Sequence, residues 1–282
     1  MFSSIINRNT RSLARIELSD EQIRVQAPSV FAAAPVAGVS ERYTFLPTAQ
    51  IVGRMRQEGW APVEVQQQAV RVEGRMGFQK HLIRFQRRDQ IARPGDYTPE
   101  IALVNSHDRS SAYQIHGALY RVVCSNGLIV SDSTIERVSI RHSGHEADQV
   151  IEASFRMLAQ IPQLTERVNA FRARQLTPGE QHTFAERALK LRWDDVKLAP
   201  VGVEKILWPR RTEDTGADLW SVYNRVQENL LRGGQRDYHQ RRQDGRRIGR
   251  SRPISGLDES IKINKALWEL AEALRTGKLA AN

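Results

Sequence analysis

The sequence predicts an α+β fold, with a largely antiparallel sheet in the N-terminal half and a helical C-terminal half. Three observations carry this reading. Between residues 63 and 142, apolar side chains recur in short alternating runs separated by turn formers, as in Arg137-Val138-Ser139-Ile140-Arg141. After His145 the apolar spacing lengthens to three and four residues, the period of helices packed on one face. The links between strand candidates are too short for the crossovers a parallel sheet requires. The expected organisation is a weakly ordered segment at 1–46, a β-rich half at 47–145, and a helical half at 146–282 with an arginine-rich loop at 235–252. Together they are read as one continuous domain of 282 residues, whose 40% apolar content suffices for a buried core.

Up to Val39 the pattern supports one short amphipathic piece at most. The apolar run at 27–39 contains two prolines, is too short to span a bilayer and follows a charged segment, so no membrane partner is expected. Pro47 and Thr48 open a helix through Ile51, Val52 and Met55 to Gly59. Val63, Val65, Val70 and Val72 change parity across Gln66-Gln67-Gln68, which predicts a bulge or turn there. Further strands are predicted at 78–87, 101–105, 113–124, 128–130 and 135–142, with Asn126-Gly127 as the turn before the fourth of these.

In the helical half, Val150, Ser154, Met157, Leu158 and Ile161 form one face, and Pro162 is expected to kink or end that helix before Leu164, Val168 and Phe171 resume it. Thr177-Pro178-Gly179-Glu180 reads as a capping box with proline at the first helical position. A helix follows through Phe184, Ala188 and Leu191. The last helix carries Ile263, Leu267, Leu270 and Leu274 on one face and stops at Gly277.

The chain is organised around residues 218–252. Leu219, Tyr223, Val226 and Leu230 make the packed face of a helix, while Ser221, Arg225, Glu228 and Arg232 make a back expected to face water. Between them lie Trp220, Asn224, Gln227 and Leu231, whose two amides need hydrogen-bond partners if covered. This helix is expected to pack on the last one through Leu219, Tyr223, Leu267 and Leu270. Gly233 or Gly234 can end it in a left-handed cap. Beyond come Arg236, Arg241, Arg242, Arg246, Arg247, Arg250 and Arg252, with Tyr238 among them and only Asp237 and Asp244 opposing. No apolar period survives there, so the segment is read as a loop. Guanidinium groups pair bidentately with phosphates and stack on bases, so this cluster is the strongest functional signal in the chain.

The formal net charge of +10 points to polyanionic partners, nucleic acid ahead of a membrane surface. The single cysteine, Cys124, excludes an intramolecular disulfide and a zinc ribbon and fits a cytoplasmic location. There is no P-loop, dinucleotide glycine fingerprint or nucleophile elbow, so nucleotide hydrolysis by a familiar loop is disfavoured.

Two polar stretches sit at strand ends. In Asn105-Ser106-His107-Asp108, the histidine and aspartate are catalytic candidates, as base or as metal ligands with His142, His145 and Glu146. The competing reading is that Asn105, Ser106 and Asp108 simply make a turn. In Arg121-Val122-Val123-Cys124-Ser125-Asn126-Gly127, Cys124 is read as a small core residue rather than a nucleophile, because Arg121 falls on the opposite strand face. Both stretches are expected to meet on one edge or face of the sheet.

These two stretches, with Val226-Gln227-Glu228-Asn229-Leu230-Leu231-Arg232-Gly233-Gly234, the run from Arg252 to Asp258, and Asn264-Lys265-Ala266-Leu267-Trp268, resemble the phage/plasmid-like proteins, domain-of-unknown-function family nine-three-two. The similarity runs from about Pro47 to the last helix. It implies the setting of a prophage or plasmid and brings no catalytic mechanism with it. The expected function is binding of nucleic acid, single-stranded DNA favoured, in strand protection or annealing. Arg232, Arg236, Tyr238, Arg241, Arg242, Arg246, Arg247, Arg250 and Arg252 would carry it, with no cofactor, and homo-oligomers are compatible with it. The alternatives are a divalent-metal enzyme acting on nucleic acid through His107 and Asp108, and a protein that blocks a host factor through the region from Trp208 to Trp220.

Overall fold

The computed structural model describes residues 16–38, 45–69, 73–89, 97–121, 126–129, 138–140, 146–235 and 249–279. The fold is α+β, with the sheet in the N-terminal half and helices dominating the C-terminal half. It divides into two compact units, Met1–Leu128 with Ser139–Ala153, and Ile129–Val138 with Ser154–Asn282.

In the first unit, strands β1 (Trp60–Gln67), β2 (His81–Arg87), β3 (Tyr97–Asn105) and β4 (Tyr113–Arg121) pair antiparallel in chain order. Strands β5 (Asn126–Ile129) and β6 (Val138–Ile140) both join β4. Asn126 and Gly127 thus begin a strand rather than forming the expected turn. The β1–β2 register slips between Pro62 and Glu64, which puts a bulge at Val63, and β1 ends at Gln67, within the glutamines where a bulge or turn is expected. Pro62 accounts for the bulge at Val63, since a residue without an amide hydrogen fits a sheet best beside a bulge.

Helices α1 (Asp20–Gln26) and α2 (Thr48–Gln57) complete this unit. Helix α1 lies within the segment expected to be weakly ordered. It starts at a capping box in which Ser19 and Gln22 satisfy each other's backbone amides. The chain before it is fastened to β1 by the Leu18 amide on the Pro62 carbonyl at 2.7 Å. Glu17 accepts from Arg88 at 2.9 Å and Arg56 at 3.2 Å, and those guanidinium groups, Arg88 first, hold its carboxyl below the usual range. Ile23, Ile51, Trp60, Ile83, Phe85 and Ile101 are fully buried. Among them runs a charged pair: Glu100 is buried and accepts from Arg84 at 3.0 Å and Gln86 at 2.8 Å across β2 and β3.

Helix α3 (Glu146–Ala173) runs without a break through Pro162, against expectation. That proline lies on the exposed side of the helix, where a carbonyl left without its amide donor costs least.

The second unit holds α4 (Pro178–Lys190), α5 (Val203–Ile206), α6 (Leu219–Arg232) and α7 (Leu257–Arg275). The capping box at Thr177 and Glu180 starts α4, and Phe184, Ala185, Ala188 and Leu189 form its buried stripe. Helices α6 and α7 pack together, with Leu219, Tyr223, Leu267 and Trp268 buried and Leu270 at the margin. The Tyr223 and Trp268 rings meet edge to face at 5.8 Å, and Phe171 lies 4.9 Å from Trp268. Among the described residues no helix is long and apolar enough to cross a membrane.

Candidate functional site

The first polar stretch divides between core and surface. Asn105 and His107 are fully buried at the end of β3, with Thr48, the first residue of α2, and His81, the first of β2. The Thr48 hydroxyl lies 2.9 Å from His81 Nε2, 3.2 Å from His107 Nε2 and 3.0 Å from Asn105 Nδ2. His81 Nδ1 faces the Gln79 carbonyl at 3.1 Å, which can only accept, so this nitrogen carries the hydrogen and Nε2 accepts from Thr48. The threonine oxygen then accepts from Asn105 and His107, and its capacity is filled. Ser29 Oγ, 2.9 Å from His81 Nδ1, brings the segment after α1 into the same knot. Burial drives the His81 pKa down to about 4, against the opposing pull of the Gln79 carbonyl and the Asp108 carboxylate.

These side chains are sealed from solvent, and the knot fixes α2 and the 3₁₀ turn Pro28–Phe31 on the sheet. His107 belongs to the buried knot, whereas Asp108 is only partly buried. Asp108 lies in the following turn, where Oδ1 accepts the Ser110 amide at 3.0 Å and Arg109 takes a left-handed φ of 68°. Burial raises the Asp108 carboxyl, but Ser110, Ser106 and Arg75 outweigh it and hold the group below its ordinary value. A cavity of about 110 Å³ opens beside it, lined by Gln68, Arg75, Gln79, Lys80 and Ser110. Among the described residues no three His, Cys, Asp or Glu side chains are grouped to hold a metal.

The second stretch lies elsewhere. Arg121 pairs with Tyr97 at the start of β3, eight residues from Asn105 at its end, a separation of about 26 Å at strand rise. The antiparallel register thus puts the two stretches at opposite ends of β3 and overturns the shared site. Cys124, His142 and His145, and the side chains of Arg121, Asn126 and Glu146, lie outside the described residues.

Around α6 the polar residues converge. Its back is buried, not wet: Glu228 is 1% exposed, and Arg225 and Ser221 are buried as well. The reason is a strap of chain from α5 to the 3₁₀ turn Thr212–Asp214, which supplies partners from outside the helix. Glu228 accepts from Arg211 Nε and Nη2 at 3.1 and 2.8 Å and from Arg232 at 2.8 Å. Arg225 reaches the Asp214 carbonyl at 3.2 Å and Gln181 at 2.9 Å. The amides of the mixed stripe are partnered too, Asn224 with the Trp220 carbonyl at 2.7 Å and Gln227 with Asn264 at 2.8 Å.

Asn229 gathers the strap to the helix end. Its Nδ2 donates to the Ile206 and Trp208 carbonyls at 2.8 and 2.9 Å, and its Oδ1 accepts from Arg210 and Gln235, each at 2.6 Å. Gln227, Glu228 and Asn229 are therefore structural residues, tying α6 to α7 and to the strap.

The same end of α6 holds the arginine-rich segment at its base. Gly233 sits at φ 58° and ψ −147°, a region open to glycine alone, and a Cβ there would come within 2.5 Å of the Arg252 carbonyl carbon. That close approach lets the Gly234 amide donate to Ser251 at 2.7 Å, the Ser251 amide to Gln235 at 2.8 Å, and the Ile254 amide to Leu231 at 2.9 Å. Arg192 adds a two-sided clamp, donating to the carbonyls of Leu230 and Arg252. A backbone clasp thus holds together the two ends of segment 236–250. Of the expected binding residues, Arg250 and Arg252 are exposed at the clasp, and Arg232 is committed to Glu228. Arg236, Tyr238, Arg241, Arg242, Arg246 and Arg247 lie outside the described residues.

The family described as "Domain of unknown function (DUF932)" matches residues 35–268. The chain is 39% identical over 269 residues to the UPF0380 protein YafZ of Escherichia coli (strain K12), covering 95% of this chain and 94% of that protein. It is 38% identical, with the same coverage, to the UPF0380 protein YfjQ of the same organism. No solved structure matches the chain. The extent of the family match, which runs from before α2 into α7, and the near full-length relatives show that the chain belongs to the DUF932 family.

Proposed function

We propose that this protein binds single-stranded nucleic acid, DNA favoured, through the arginine-rich segment 236–252, serving strand protection or annealing for a phage- or plasmid-borne element. The observation that carries the reading is the clasp at Gly234, Gln235 and Ser251, which holds both ends of a segment with six arginines and two aspartates, with Arg252 just beyond it. Cations so concentrated repel one another, and a polyphosphate chain relieves that repulsion while releasing its condensed counterions. No stretch of the sequence reads as a recognition helix, which favours a strand over a duplex groove. The mobile-element setting rests on the resemblance of the motifs alone.

The test is oligonucleotide binding across a salt series, comparing the parent with a variant carrying alanine at Arg241, Arg242, Arg246 and Arg247. The salt slope for a single strand should flatten by about 0.7 for each phosphate that the variant no longer neutralises, with an unchanged melting temperature. Equal binding by both proteins at every salt concentration refutes the proposal.

A further inference from the structure

Trp208 stands apart from Trp60, Trp220 and Trp268. Those three are buried, whereas Trp208 is 64% exposed. A single exposed apolar side chain is ordinary on a protein surface and needs no explanation by itself. This one is held in place. Ile206, fully buried, anchors the single turn of α5, and the Trp208 carbonyl is fixed by Asn229 at 2.9 Å. Asn229 is also bonded to Gln235, the residue at which the arginine-rich segment departs. The backbone that carries the indole is therefore tied to the base of that segment.

Its surroundings are cationic. Lys205 Nζ lies over the indole, 5.0 Å from its centroid and within cation–π range, while Arg210, two residues on, is held by Asn229 and the Gly233 carbonyl. Glu204 and Glu213 are the exposed acids of the strap, and between residues 203 and 254 twelve arginines and lysines stand against seven acids. An exposed flat aromatic surface with a lysine ammonium against it, tied to the base of the arginine-rich segment, suits an unpaired nucleobase: the exposed part of the ring offers a stacking face while the cation attracts the backbone.

We infer that Trp208 is a stacking platform for an unpaired base of the nucleic acid, with Lys205 beside it to meet an adjoining phosphate. This rests on the proposed function and extends it, because the path of the strand then runs from the arginine-rich segment onto the strap. It predicts a preference for single strands, since the faces of a base inside a duplex are taken by its stacked neighbours.

The experiment compares the parent, Trp208→Ala and Trp208→Phe on oligo(dT), oligo(U) and an abasic deoxyribose-phosphate oligomer of equal length, with melting temperatures as the control for folding. Trp208→Ala should weaken binding to the base-bearing oligomers on the order of tenfold, Trp208→Phe should recover part of that, and neither should change binding to the abasic oligomer. Tryptophan emission of the parent should be quenched by oligo(dT) and not by the abasic chain. The ratio of oligo(dT) to oligo(U) affinity separates DNA from RNA as the natural strand. If Trp208→Ala matches the parent on all three, or loses equally on the abasic chain, stacking is overturned while phosphate binding stands. If the parent binds none of them, both readings fall.

Discussion

Lowering the pH should weaken the fold through one identifiable group, His81. In the folded chain its pKa is about 4, against 6.5 for an ordinary histidine, because the imidazole is fully buried with both nitrogens engaged. Above pH 6.5 the ring is neutral folded or unfolded, and it contributes no pH dependence. As the pH falls below 6.5 the unfolded chain takes up a proton that the folded chain refuses, and stability drops by about 1.4 kcal/mol per pH unit. The loss levels off below the folded pKa, at a total of about 3 kcal/mol. Glu17, Glu180, Glu186 and Asp108, all with lowered values, add losses of their own at more acid pH. The assay is therefore differential: urea unfolding of the parent and of His81→Gln at intervals from pH 7.5 to 4. Near neutral pH the variant should be the less stable of the two, since it loses the bond to Thr48. The informative quantity is the gap between the two curves, which should narrow by about 3 kcal/mol between pH 6.5 and 4. A gap that stays constant across that range refutes the assignment of a neutral, buried His81.

Glu228→Ala should cost about 2 kcal/mol of unfolding free energy. A fully buried ion pair broken on one side costs about 3 to 5 kcal/mol, and the figure is reduced here because Arg211 and Arg232 keep 21% and 43% of their side chains in water. Chemical denaturation checks it, and a change under about 0.5 kcal/mol would show the carboxylate to be dispensable. Gly233→Ala should destabilise by about 3 kcal/mol, because it combines a glycine-only conformation with a collision against the Arg252 backbone. Parent-like melting of that variant would mean the clasp is looser than described.

Local chemistry was legible where the cause and its effect lie a few residues apart. The Thr177 and Glu180 capping box, the apolar stripe of α7 and the need of Asn224 and Gln227 for partners all belong to this class. What escaped depends on residues far away in the chain. Helical periodicity places Glu228 and Arg225 on a polar face but is silent about the strap that covers it, whose Arg211 lies 17 residues from Glu228. His81, Thr48 and Ser29 carry no motif, and each looks like an ordinary strand, helix or turn residue until the sheet brings them together. The separation of Asn105 from Arg121 is a matter of register: two polar strand ends predict a meeting only if they are the same end, and an antiparallel pair with β3 nine residues long makes them opposite. Arg84 lies inside an expected strand and Glu100 just before another, and only the three-dimensional pairing shows them to be buried partners.

The clasp below the arginine-rich segment also separates two kinds of evolutionary freedom. Among the described residues, the groups that fix the ends of that segment, the Gly233 backbone, the Ser251 and Gln235 bonds and the Arg192 clamp, lie at or beyond its ends. With the ends closed in this way a change in the length between them costs little, doubling it adding only about 0.6 kcal/mol of closure entropy. Relatives that keep the two glycines and the Arg-Pro-Ile-Ser run can then carry different inserts on one frame. An insert exchanged between two such proteins should bring its ligand preference with it and leave the melting temperature of the recipient where it was.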